Sequence, residues 1–484
     1  MPSTLGIVSS HYTRPPAPVS LLLQGNGTNG AQNNTFLDSS STPKTIIRNG
    51  SVTQGSFSPF PLNGAIYNPS VHGGSAYFNG NGYLEVTDSN GFGFQNTGNY
   101  TIEAWIYITS DIEPYQMILG TGGSNNYWGL VGTTGGYYLV SYTPSMGVND
   151  IQQTSGQKIL LNTWTHVAWS RQSSILRYFV NGSLVNTSSS TDAIAVNSAQ
   201  IGHSPYYNSF FVSGNICNLR IANVALYTSS FARPTAPLTT TSNGGGGGTA
   251  PNSSQVSLLL NFTNGGVIDS VAKNNLVTVG NAQISTAVKK YGSGSIYFDG
   301  SSDYLTSSNQ NDYKFLHDGT TNYTVEGWFY TNSTAFQILF STINDSSNIG
   351  AILSINGNGA KDIGWTVYRG VLGSFFDGNG YSNTNVWNLN TWNHFACTFN
   401  TSTKTIEVFL NGTKVYSYTN PSYAFSSSNP TYPCNIGRNA GGGYYFNGYI
   451  DDFRITKGAI YTKNFAPGPL SELPATDPIN LNLL

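Results

Sequence analysis

Apolar and polar residues alternate along the chain in short runs, such as Ile102, Ala104, Ile106 and Ile108, or Phe395, Cys397 and Phe399. Alternation sends successive side chains to opposite faces, so each run predicts a strand with one committed face. Asn-Gly, Asp-Gly and Gly-rich segments bound the runs, and no long stretch follows a helical period. Asn181-Gly182 follows the apolar RYFV and Asn411-Gly412 follows EVFL. Asn-Gly readily supplies the two positive φ angles of a tight hairpin, so both sites predict turns between paired strands. Many short antiparallel strands can bury their apolar faces by closing into two packed sheets. The predicted class is therefore all-β, with β-sandwiches of jelly-roll type.

The pattern occurs twice. Residues 75–231 contain SAYFNG, YTIEAWIY, LNTWTHVA, YFVNG, GNICNLRI and ALYTSSF, and residues 295–465 contain SIYFDG, YTVEGWFY, LNTWNHFA, VFLNG, GYIDDFRI and AIYTKNF in the same order. Such a series marks a folding unit of about two hundred residues duplicated in tandem. VSLLL opens both copies, at 19 and at 256. Five consecutive glycines, Gly244 to Gly248, lie in a stretch without apolar period and read as a flexible linker. The expected organisation is a tail at 1–18, sandwiches at 19–238 and 256–470, a linker at 239–255 and a tail at 471–484.

Composition narrows the classes of function. Charged residues make up 9% of the 484, with 20 Lys+Arg against 22 Asp+Glu, so the chain lacks a basic footprint for nucleic acid or anionic membrane. No run of apolar residues is long enough for a membrane span. The three cysteines show neither pairing by number nor metal-ligand spacing, and Cys217 and Cys397 read as buried free thiols in strands, with Cys434 left open. The N-terminal MPSTLGIVSSHYTRPPAPVS is not of the Sec signal type, although the composition suits an exposed protein. Release by lysis inside a virus particle would reconcile the two.

Few residues offer chemistry in both copies. Glu103 and Glu326 are the acids repeated inside a strong strand motif, and Arg220 and Arg454 recur in NLRI and DFRI. A half-buried carboxylate is costly without a cation, so Glu103 with Arg220, and Glu326 with Arg454, are expected structural pairs. His166 and His394 recur without a triad-like nucleophile beside them and read as hydrogen-bonded within the sandwich. Trp105/Trp328 and Trp164/Trp392 read as rings filling the space between sheets rather than sugar platforms. Asn-x-Ser/Thr triplets, as at Asn99 and Asn322, are expected by chance in so Asn-rich a chain.

The motif series, from SLLL through Y-F-N/D-G, Y-T-x-E-x-W, L-N-T-W-x-H-x-A, F-x-N-G and I-G to R-I-x-x-x-x-x-Y-T-x-x-F, resembles the laminin-G-like, concanavalin-A-like domains. It is closest to the variety common in proteins of bacteriophages and environmental bacteria. The resemblance implies concanavalin-A-like sandwiches, a fold that hosts lectins, glycan hydrolases and plain structural modules. Hydrolases of that superfamily use paired carboxylates, and their Glu-x-Asp-x-x-Glu pattern is absent, so no catalytic residue and no enzyme activity is expected. Relatives also bind Ca²⁺ through Asp side chains at a sandwich rim. Only the second copy offers Asp299, Asp303, Asp451 and Asp452, which makes it the one place for such an ion, with solvated turn acids the preferred reading and no metal ligand assigned.

The loops HSPYYNSFFVSGN (203–215) and RNAGGGYYFNGY (438–449) join tyrosines to glycines at equivalent places. Tyr206, Tyr207 and Phe210, with Tyr444, Tyr445 and Phe446, are the candidate ligand-binding residues. They suit stacking on sugar rings or packing on a partner protein, and equally folding back on their own sandwich. The expected function is that of a non-enzymatic virion surface protein, a phage head decoration or fibre or a tail-associated adhesin. It would bind host-surface glycans, be oligomeric on the particle beside other virion proteins, and hold any glycan or Ca²⁺ dependence in its second domain. A bacterial extracellular adhesin and a glycan-degrading enzyme are the alternatives.

Overall fold

The computed structural model describes residues 19–469 apart from 24–27, 63–66, 88–91, 93–97, 112, 122–125, 144–146, 151–156, 192–197, 243–250, 252–254, 261–264, 271–275, 308–310, 344–347, 358, 371–374 and 377–384. Both expected tails and most of the expected linker lie outside the described residues.

Packing divides the chain into two compact bodies. The first comprises Gly25–Ala287 with Leu305–Asn309. In it one antiparallel sheet runs Ser183–Ser189, Ile175–Val180, Thr165–Gln172, Tyr100–Ile108, Ser213–Ala222, Ser75–Asn79 and Thr53–Gly55. The facing sheet runs Gly147–Asp150, Gly136–Thr143, Asn126–Thr133, Tyr115–Thr121, Ala199–Ile201, Tyr83–Val86 and Ile46–Asn49. The second body comprises, among the described residues, 19–23, Val288–Tyr304 and 311–469. Its main sheet orders Thr413–Thr419, Thr405–Leu410, Asn393–Asn400, Tyr323–Tyr330, Asn447–Thr456 and Ser295–Asp299. Phe375–Phe376, Ile363–Arg369, Ile349–Ile355, Gln337–Ser341 and Asn435–Ile436 follow one another in the other sheet. Each body is a jelly-roll sandwich.

These bodies do not follow the repeat boundaries expected at 19–238 and 256–470. Val256–Leu260 pairs with the Ser213–Ala222 strand of the first body, and Val19–Leu23 pairs with the Asn447–Thr456 strand of the second. Each last strand thus takes the opening strand of the other copy. Val267 and Leu276 also pack into the first body, where the buried Asn33 donates through Nδ2 to their carbonyls at 2.7 and 2.8 Å.

Alternation explains the core. Ile102, Ala104, Ile106 and Ile108 face Trp128, Leu130 and Leu139 across the sandwich, with Val167 and Trp169 beside them. Large inter-sheet rings include Trp128 and, in the second body, Trp365, whose indole N–H groups reach the hydroxyls of Tyr100 (3.3 Å) and Tyr323 (3.0 Å). Trp105 does not fill that space, contrary to the sequence expectation. It is buried on the outer side of its sheet with Phe60 and Cys217. Trp328 packs in the same way against Tyr291 and His394. The central strands of these sheets are therefore covered on both faces.

Asn181 and Gly182 adopt φ 49° and 80°, and Asn411 and Gly412 adopt 49° and 77°, as a tight hairpin of this kind requires. Both glycines are also pressed against a returning segment: a Cβ at Gly182 would lie 2.1 Å from the Phe231 carbonyl oxygen, and one at Gly412 would lie 1.9 Å from that of Phe465. Asn99 and Asn322 have turn roles, since their side-chain oxygens accept from the amides of Ser173 and Thr401. All three cysteines are buried free thiols.

Candidate functional site

The repeated polar residues meet on the outer face of each main sheet. Glu103 lies opposite Arg220 on one neighbouring strand and Ala168 on the other, while His166 lies opposite Trp105. A β-bulge aligns them. Asn218, at φ 50°, is the extra residue, so Cys217 and Arg220 face the same side although an unbroken pleat would put them on opposite sides. In the second body Asp452, at φ 46°, repeats the bulge between Asp451 and Arg454.

Arg220 donates from Nε (2.8 Å) and Nη2 (2.6 Å) to Glu103 Oε1. Tyr227 donates its hydroxyl to Glu103 Oε2 at 2.8 Å, and His166 Nε2 lies 3.2 Å from the same oxygen. The second body repeats the set: Arg454 donates to Glu326 Oε1 at 2.9 and 2.6 Å, and Tyr461 donates to Oε2 at 2.8 Å. His394 approaches only to 3.6 Å, outside hydrogen-bonding range. Burial alone would push the Glu103 carboxyl up, but the Arg220 guanidinium and the His166 bond outweigh it and hold the pKa at about 2. Glu326 is held at about 2 against its burial chiefly by the Arg454 guanidinium. Phe231 stacks on Tyr227, and Phe465 on Tyr461, with ring centroids 3.6 Å apart in both.

This arrangement cannot perform carboxylate catalysis. Each glutamate is fully buried and both of its oxygens are occupied, leaving no approach for water or a glycosidic oxygen. The clusters fasten the segment after the last strand onto the sheet. The sequence held a signal for the missed tyrosine, the shared spacing R-I-x-x-x-x-x-Y, but nothing in the spacing names the acceptor of its hydroxyl.

The aromatic loops differ more. In the first body Tyr206 is 65% and Tyr207 46% exposed, whereas Phe210 is half-buried. Tyr206, Tyr207, Phe210 and Tyr115 follow one another at centroid distances of 5.0, 5.2 and 5.1 Å. Phe210 rests on Met117, Tyr127, Val131 and Val140, and Tyr127 stacks on Tyr142 at 5.4 Å. Burial and the neighbouring Tyr207, Tyr115 and Tyr142 push the Tyr127 hydroxyl well up. In the second body Tyr444 is 55% exposed beside Phe336 and Tyr445 is half-buried. Phe446 is no ligand residue: it is fully buried against Phe298.

The second body's acids are engaged in local structure. Asp299 accepts from the amides of Ser301 and Ser302, and Asp303 Oδ2 accepts from the Asp299 amide. Asp451 is buried and accepts from the amides of Lys290 and Tyr291. Among the described residues no three His, Cys, Asp or Glu side chains gather as a metal set. A shallow groove of about 230 Å³, lined by Thr398, Asn400, Thr403, Thr405, Glu407 and Thr462, opens on the outer face beside Tyr461. No helix among the described residues is long and apolar enough to cross a membrane.

Two sandwiches of this topology, each with its polar centre spent on structure, define a pair of lectin-like jelly rolls. The chain belongs to the concanavalin A-like lectin/glucanases superfamily, whose laminin-G-type family matches residues 78–230 and 299–463. No curated protein matches the sequence. Among solved structures it is similar to the mouse laminin α1 chain domains LG4-5, at 11% identity, 85% coverage of this chain and 96% of that one, with a TM-score of 0.28. It is also similar to domain 4 of an extracellular arabinanase from Geobacillus stearothermophilus in complex with arabinotriose, at 20% identity, 44% and 95% coverage, and a TM-score of 0.30. A putative carbohydrate binding protein from Bacteroides ovatus matches at 15% identity, 49% and 58% coverage, and a TM-score of 0.28.

Proposed function

We propose that this chain is a non-catalytic glycan-binding protein displayed on a surface, and that its first body carries the main contact. The observation that supports this is the patch of Tyr115, Tyr127, Tyr142, Tyr206, Tyr207 and Phe210, in which exposed rings stand on a buried aromatic base. A supported ring offers the apolar face of a sugar a flat partner at little cost in side-chain entropy. The second body, with one strongly exposed loop tyrosine, Tyr444, is the weaker binder, which reverses the preference drawn from sequence. The setting we adopt is a virion surface, supported by the resemblance of the motif series to repeats common in phage proteins.

A glycan array probed with the full chain tests the reading. Tyr206→Ala with Tyr207→Ala should weaken binding at least about ten-fold, the scale of one interface anchor or more. Tyr444→Ala should change it little. Binding untouched by the first pair, or hydrolysis of an arrayed glycan that Glu326→Gln abolishes, would remove the proposal.

A further inference from the structure

The two opening strands are identical, Val-Ser-Leu-Leu-Leu at 19–23 and at 256–260, and they lie in their partners identically. Leu22 faces Arg454 as Leu259 faces Arg220, Leu21 faces Ile455 as Leu258 faces Ile221, and Val19 faces Thr456 as Val256 faces Ala222. Even the irregularity is shared, a register shift between the first and third residues of the strand. The receiving edge is bounded. Ser295–Asp299 occupies the first half of the Asn447–Thr456 edge, through Asn447 to Ile450, and leaves Phe453–Thr456 for the incoming strand. The edge is also held in place without it, because Arg454 is fixed to Glu326 and the opposite side pairs with Tyr323–Tyr330.

A half-edge of unpaired amides and carbonyls, between a resident strand and a rigid neighbour, is a template for one more extended segment. Its backbone pairing cannot distinguish one Val-Ser-Leu-Leu-Leu from another. Within one chain the choice falls to the tether, through effective concentration. We propose that the notch at Phe453–Thr456 also accepts the Val19–Leu23 strand of a second copy of this chain, so that copies link by reciprocal strand exchange. The exchange replaces one pairing with an identical one, which is why its equilibrium cost is small and its barrier is the opening of the notch.

Two differently tagged forms of the full chain, unfolded and refolded together, should give mixed dimers that survive dilution and increase with concentration during refolding. The same forms mixed after folding should stay separate. Leu21→Pro in both forms removes a strand amide and should abolish the mixed dimers. An excess of a lysine-flanked Val-Ser-Leu-Leu-Leu peptide during refolding of the unaltered chain should suppress them, and a scrambled peptide should not. The peptide arm decides the question even if the proline variant does not refold. Mixed dimers indifferent to the peptide, or a chain that refolds wholly monomeric at every concentration tried, would overturn the proposal.

Discussion

The two bodies build the same buried centre with different margins. Glu103 and Glu326 each receive two arginine N–H bonds on Oε1 and a tyrosine hydroxyl on Oε2 at nearly the same distances. Around that shared set the histidines differ, and His166 closes to 3.2 Å in the first body, where Arg220 Nη1 donates to the carbonyls of Thr239 (2.8 Å) and Ser242 (2.6 Å). His394 stays at 3.6 Å and has no hydrogen-bond partner for either ring nitrogen among the described residues. Glutamate, arginine and tyrosine are thus the working unit, and histidine is an accessory. The loops teach the complementary lesson. Backbone bonds hold both loops alike, the Met117 amide donating to the Phe210 carbonyl and the Ile338 amide to that of Tyr444, while the exposed Tyr206 and Tyr207 belong to the first loop.

The comparison can be broken most forcefully at the arginines. Arg220→Ala and Arg454→Ala should each cost about 3–5 kcal/mol in denaturant unfolding, because each leaves a buried carboxylate without its cation. Glu326→Gln should recover part of the Arg454→Ala loss, because it removes the charge that the missing arginine leaves unpaired. Additive effects in that pair would show that the two side chains do not interact. Tyr227→Phe and Tyr461→Phe should follow at about 1.5–3 kcal/mol each, the value of a hydrogen bond to a charged group, and should be equal. Unequal losses would show that the shared unit is smaller than drawn.

Acid sharpens the same point. Glu103 and Glu326 titrate at about 2 in the fold against an ordinary 4.5, so their stabilisation is complete above pH 4.5 and is lost as pH falls through 2. Asp451 runs the other way and belongs to the second body alone. Burial raises its pKa from 3.8 to about 6, against the amides of Tyr291 and Lys290, so the fold favours its protonated form. The stability it contributes is present below pH 3.8 and is lost as pH rises through 6, by about 1–3 kcal/mol. Asp451→Asn should remove that slope from pH-dependent unfolding without altering the acid limb near pH 2. A slope that persists in this variant would assign it to another group. His166→Gln should cost about 1 kcal/mol and His394→Gln less, in line with their distances from the carboxylates. The smallest expected effect is none: a protease cut between 239 and 255 should leave the elution volume unchanged until denaturant is added. Val19–Leu23 and Val256–Leu260 each remain paired with a strand on the other fragment. Separation of the fragments in native buffer would contradict the exchange.

Duplicated motifs and two-residue alternation determined that this chain is two all-β sandwiches, placed the Asn-Gly hairpins, and joined Glu103 to Arg220 and Glu326 to Arg454. These are properties of strand period and of charge, and both are written locally. Alternation assigns a face only while the pleat is unbroken, so the bulges at Asn218 and Asp452, which turn each arginine toward its glutamate, emerged only from the packed sheet. Tyr227 and Tyr461 gained their acceptors the same way, by the return of a distant segment over the sheet. Burial of Phe446 beside an exposed Tyr444 turned on which side of a glycine-rich loop met the core. The assignment of each opening strand was not legible in the strand itself, because two identical copies of Val-Ser-Leu-Leu-Leu carry no information about which edge each will complete, and the tether acting on the folded edges breaks that tie.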